Sequence, residues 1–73
     1  MNIIALGKVV KDRRRLLDVK QADLARISKI SVHALSDIES GKGNPTLETL
    51  QQVLEALGLA LHVEIKKADG IDA

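Results

Sequence analysis

The chain has 73 residues, no cysteine, no aromatic residue and a formal net charge of +1. That length is one domain, and the lack of cysteine excludes disulfides and thiolate metal sites while fitting a cytoplasmic protein. No apolar run reaches the roughly 18 residues of a membrane span, the apolar part of MNIIALGK is too short for a signal peptide, and the absence of aromatic rings argues against stacking on single-stranded bases. A core this small is marginal, so oligomerisation is the expected support. The charge is unevenly placed. Residues 1–33 carry eight basic side chains against three acidic ones, and residues 34–73 carry three against seven. A basic half suits a phosphate-facing surface, although an ordinary solvated surface can look the same.

Residues 2–17 read as the first helix, with Asn2 as its cap and Ile3, Leu6, Val10 and Leu17 at helical spacing. Arg13 and Arg14 interrupt that stripe, and a charge within an apolar stripe needs a partner. The alternative for Arg14 is that its stem merely skirts the core edge. Lys11, Arg13 and Arg15 read as solvated. After the link Asp18-Val19-Lys20, the stretch QADLARISKISVHALSDIESGK, residues 21–42, reads as two short helices and a tight turn. The first has Ala22, Leu24, Ala25 and Ile27 as apolar positions. The second has Val32, Ala34, Leu35 and Ile38, with Ser31 as N-cap and Gly41 as left-handed C-cap. Ile30 is placed to plug the angle between them. This is a helix-turn-helix pattern.

Gly43-Asn44-Pro45 makes a turn, and Thr46 caps a last helix with Leu47, Leu50, Val53, Leu54 and Leu57 as a 3.6-period stripe; Gln51, Gln52 and Glu55 are expected to face water. Gly58 ends it. The period then becomes two: Leu59, Leu61, Val63 and Ile65 alternate with Ala60, His62, Glu64 and Lys66. That predicts a half-buried strand over residues 59–66. A single strand leaves its backbone groups unpaired, so pairing with a second copy in a two-fold homodimer is expected. Residues 67–73 have no pattern and are expected to be disordered.

The motif resembles the helix-turn-helix of the lambda-repressor/Cro family of bacterial and phage regulators. Gln21, Leu24, Ala25, Ile30, Ser31, Leu35, Ser36, Ile38, Glu39, Gly41 and Lys42 fall on that family's pattern. Two residues depart from it. Lys20 stands where a capping Thr or Asn is usual, and Lys29 where Gly is usual, at a cost of about 1 kcal/mol if left-handed; a longer turn is the alternative. The resemblance implies an all-α, four- to five-helix DNA-binding domain over residues 1–58. One C-terminal strand, residues 59–66, adds an intermolecular two-stranded sheet. It implies that the second motif helix lies in the major groove of double-stranded DNA. Val32, His33, Ser36 and Asp37 are then candidates to read bases, and Gln21, Ser31, Ser40 and Lys42 to hold phosphates. Asp37 has an equal alternative as a solvated carboxylate or the partner of a nearby Lys or Arg. The resemblance also pairs Arg14 with Glu39.

The short build with a dimerising strand resembles HipB-type antitoxins, which bind an operator as dimers and also hold a HipA-like kinase toxin. Three functional readings stand: an operator-binding repressor that is such an antitoxin, a stand-alone phage or chromosomal regulator, and an interaction module that has lost DNA binding. Catalysis is not expected. There is no cysteine nucleophile, no Gly-rich phosphate loop and no His/carboxylate set at metal spacing, and His62 reads as plain surface. No cofactor and no membrane partner are implied.

Overall fold

The computed structural model describes residues 2–65. Four helices follow one another: α1 (Ile3–Leu16), α2 (Gln21–Ser28), α3 (Val32–Ser40) and α4 (Leu47–Ala56). The starts follow the sequence. Asn2, Ser31 and Thr46 accept from the backbone N–H three residues on, which occupies one otherwise unpaired donor in each first turn. Lys20 makes no such bond, so α2 begins without a side-chain cap.

All four helices end alike. A left-handed residue follows each: Asp18 (φ 56), Lys29 (φ 60), Gly41 (φ 72) and Gly58 (φ 70). In each case the next amide reaches back five residues, Val19 to Arg14, Ile30 to Ala25, Lys42 to Asp37 and Leu59 to Leu54, at 2.8–3.1 Å. This closure satisfies carbonyls that a helix end otherwise leaves open. The turn closes on Lys29, which itself takes the strained left-handed conformation.

The core is Leu6 and Val10 of α1, Leu24 and Ala25 of α2, Leu35 and Ile38 of α3, and Val53, Leu54 and Leu57 from α4 and its end. Ile3, Val19, Ile30, Leu50 and Leu59 pack around it. Burying nine such side chains is the main favourable term, at roughly 1.5–3 kcal/mol for each large one. α1 lies tightly on the C-terminal end of α3. A Cβ at Gly7 would overlap the Ile38 carbonyl oxygen, and one at Gly41 would come within 2.8 Å of Ile4 Cα. Two glycines thus set the height at which α1 crosses the end of α3.

Several expectations need correction. Leu17 does not continue the α1 stripe; it lies past the last helical residue and is exposed. Of the four apolar positions of α2, Leu24 and Ala25 turn inward with Ser28, while Ala22 and Ile27 are exposed. Gln52 is half-buried rather than fully in water. The expected strand requires pairing with a second copy, and in this single copy residues 59–65 have no regular secondary structure. Leu59 closes the α4 end and packs on the core, while Val63 and Ile65 are 98% exposed. The physical reason is the one already given, that a single copy offers the segment no partner strand. Residue 66 and the tail 67–73 lie outside the described residues. No helix among the described residues is long and apolar enough to cross a membrane.

Candidate nucleic-acid interface

The outward face of α3 is built by elimination. Leu35, Ile38 and Glu39 point into the protein, which leaves Val32, His33, Ser36, Asp37 and Ser40 on one arc of the helix. Val32 and His33 are exposed, and Ser36 and Asp37 are half-exposed. The four residues expected to read bases therefore do share one surface. Ser31 Oγ accepts from Ala34 N at 3.0 Å, which leaves its hydroxyl proton free to donate outward. Lys42 is exposed and shares an open groove of about 310 Å³ with Asp37, Asn44, Thr46 and Thr49, beyond the C-terminal end of α3.

Asp37 has a neighbour, but neither Lys nor Arg. Its Oδ2 lies 3.4 Å from His33 Nε2, one turn back along the helix. Both side chains are open to water, His33 the more so. The pair is thus a loose surface contact that a base edge can displace.

Beneath this face lies the buried polar centre of the molecule. Glu39 Oε2 accepts from Arg14 Nε at 2.7 Å and Glu39 Oε1 from Arg14 Nη2 at 3.0 Å, a two-pronged pair. The Arg14 and Glu39 side chains are only 12% and 4% exposed. The bond to Glu39 holds the Arg14 guanidinium above its ordinary pKa; burial pulls the other way, and the charge of Glu39 adds to the rise. Arg14 also donates through Nη1 to the Val19 carbonyl at 2.9 Å. Gln21 Nε2 donates to Glu39 Oε1 at 3.2 Å. Gln21, expected at a phosphate, thus spends one amide hydrogen on Glu39 and keeps the other. One carboxylate on α3 ties together α1, the α1–α2 link and the start of α2.

Arg13, expected in solvent, donates through Nε to the Leu57 carbonyl at 3.0 Å and so pins α1 to the end of α4. Its position in the α1 stripe was the available signal; the partner is a backbone atom, which no residue pattern reveals. Ser28 is buried, and its hydroxyl has no hydrogen-bond partner among the described residues.

A helix-turn-helix family profile matches residues 10–63. The chain belongs to the lambda-repressor-like helix-turn-helix family. It is 38% identical over 53 residues to the HTH-type transcriptional regulator DdrOP3 of Deinococcus deserti, covering 73% of this chain and 41% of that protein. It is 36% identical over 58 residues to the ImmF control region 10 kDa protein of Bacillus phage phi105, covering 80% and 64% respectively. An uncharacterized HTH-type transcriptional regulator of Haemophilus influenzae is 35% identical over 60 residues, covering 82% and 61%. The matched chain thus spans less than two thirds of the length of each of these relatives. α2, the turn at Lys29 and α3 all lie within the matched residues.

Proposed function

We propose that this helix-turn-helix protein is a sequence-specific transcriptional repressor that binds a palindromic operator as a homodimer. One observation carries the reading. α3 presents Val32, His33, Ser36 and Asp37 outward while the Arg14–Glu39 pair clamps it from below. That is a rigid helix with an uncommitted, chemically mixed face, which major-groove reading requires. Val32 packs on a thymine methyl, His33 bonds a base edge, and Asp37 accepts from a cytosine amine. Gln21, Ser31, Ser40 and Lys42 hold phosphates and set the register.

The dimer forms through residues 59–66, paired antiparallel with the same segment of a second chain. The 98% exposure of Val63 and Ile65 supports it, since β-branched apolar side chains at alternate positions are suited to a covered sheet face. Two recognition helices then lie one DNA turn apart, roughly 34–36 Å.

The stand-alone regulator takes precedence over the antitoxin. The relatives bear the names of transcriptional regulators and of a phage control-region protein. Binding of a HipA-like toxin rests only on the short build and the acidic C-terminal half. A native pull-down decides between them: a kinase recovered with the protein selects the antitoxin, and the protein alone selects the regulator. DNA binding itself is tested by selection from a random duplex pool. Enrichment of a palindrome whose half-sites lie one turn apart supports the reading. No enriched sequence, or binding equal on all sequences, refutes it.

A further inference from the structure

α1 carries a second apolar stripe that the core does not use. Val9, Arg13 and Leu16 stand at i, i+4 and i+7, on one face. Val9 is 47% exposed, Leu16 75% and the adjoining Leu17 44%. Arg13, in the middle of that face, donates to the Leu57 carbonyl, and its Nη2 lies 3.6 Å from where a Cβ on Gly58 would be. The apolar α1 face thus adjoins the point at which the C-terminal segment leaves α4. Leu61, Val63 and Ile65 of that segment are exposed as well. Two uncovered apolar sets therefore lie on either side of the Arg13–Leu57 contact, one on α1 and one along the chain that leaves α4.

Strand register says what brings them together. In an antiparallel pair, residues directly opposite share a face. Leu59, Leu61, Val63 and Ile65 fall on a single face in both strands only if odd-numbered residues oppose odd-numbered ones. With the two-fold axis at His62, the partner's Ile65 lies opposite Leu59; with the axis at Val63, it lies opposite Leu61. Either way the end of the partner's segment arrives within a few residues of Leu57 and Arg13. A two-stranded ribbon is marginal by itself and needs a surface under its apolar face. The α1 stripe is an uncovered apolar surface that begins beside the Arg13–Leu57 contact.

We propose that Val9, Leu16 and Leu17 of α1 form the seat for the C-terminal segment of a second copy of this chain, filled by the partner's Val63 and Ile65. This rests on the strand-paired dimer proposed above. The seat places α1 between the dimer contact, through Arg13 and Leu57, and the recognition helix, through Arg14 and Glu39.

Because the chain has no cysteine, a cross-link is unambiguous. The full-length double variant Leu16→Cys with Ile65→Cys is oxidised and resolved without reductant. A covalent dimer supports the seat. A bond within one chain means the protein's own tail occupies the face, and no bond means the face is empty; both overturn it. Sedimentation of Leu16→Glu, Val63→Pro and the exposed control Leu47→Glu separates this inference from the reading beneath it. The expected result is a dimer dissociation constant at least about tenfold higher for Leu16→Glu and Val63→Pro, with Leu47→Glu unchanged. If Val63→Pro dissociates and Leu16→Glu stays dimeric, the seat falls and the paired strands stand. If neither dissociates, both fall.

Discussion

Glu39→Ala is the most informative single change to stability. The Glu39 carboxylate is nearly inaccessible and accepts three side-chain hydrogen bonds, two from Arg14 and one from Gln21. Alanine leaves the Arg14 guanidinium buried with only the Val19 carbonyl as partner. Stranding a buried charge in this way costs about 3 kcal/mol or more, against less than 1 kcal/mol for an exposed pair. Folded domains hold roughly 0.05–0.15 kcal/mol per residue, so such a loss consumes much of what a chain of this size has. The midpoint of thermal unfolding should fall by roughly 4–8 °C for each kcal/mol. Urea melts of the parent, Glu39→Ala, Arg14→Ala and the double variant measure it at equal protein concentration, because association with a second copy, as proposed above, would add to the apparent stability. The double variant should lose less than the sum of the two single ones, because it strands no charge. Arg14 is held above its ordinary pKa, so the stability that comes from its charge is complete at neutral pH and is lost as the pH rises into the strongly alkaline range. Losses below about 0.5 kcal/mol for both single variants would refute the account of a buried clamp.

Other expectations follow from single positions. Lys29→Gly should stabilise the fold, by at most about 1 kcal/mol, because it removes left-handed strain at φ 60; a destabilised variant would show that the lysine stem packs usefully. Ser28→Ala should be neutral or stabilising by about 1 kcal/mol in the same melts, since it deletes a buried hydroxyl without a partner; a clear loss would reveal a bound water or an acceptor. Gly7→Ala should destabilise strongly, as its methyl group meets the Ile38 carbonyl, and should weaken DNA binding by shifting α3; a melt like the parent's would mean that α1 can slide.

The helix-turn-helix is legible in the sequence because its signals are local and agree with one another. Ser31 and Gly41 bracket α3, Leu35 and Ile38 define its inner face, and the outward set follows by difference. The Arg14–Glu39 pair is legible only through family resemblance, since 25 positions separate the partners and periodicity marks Arg14 merely as a charge in an apolar stripe. Contacts to backbone atoms are not legible: Arg13 with the Leu57 carbonyl leaves no trace in residue type at position 57. Asp18 is a further instance. An aspartate ending α1 in the left-handed conformation carries no glycine to announce it. The segment after Gly58 has the period of a strand but, in one chain, nothing to pair with. Its pattern is the one that the proposed pairing with a second copy would use.

The central claim is that the outward face of α3 reads bases, and His33 tests it most directly. Fluorescence anisotropy on the selected operator, and on the set of its single base-pair substitutions, gives a discrimination profile for the parent and for His33→Ala. The account predicts that the variant loses about 1–3 kcal/mol of discrimination at one base pair per half-site and keeps the profile elsewhere. A uniform loss of affinity across every sequence, with the profile unchanged, would contradict it.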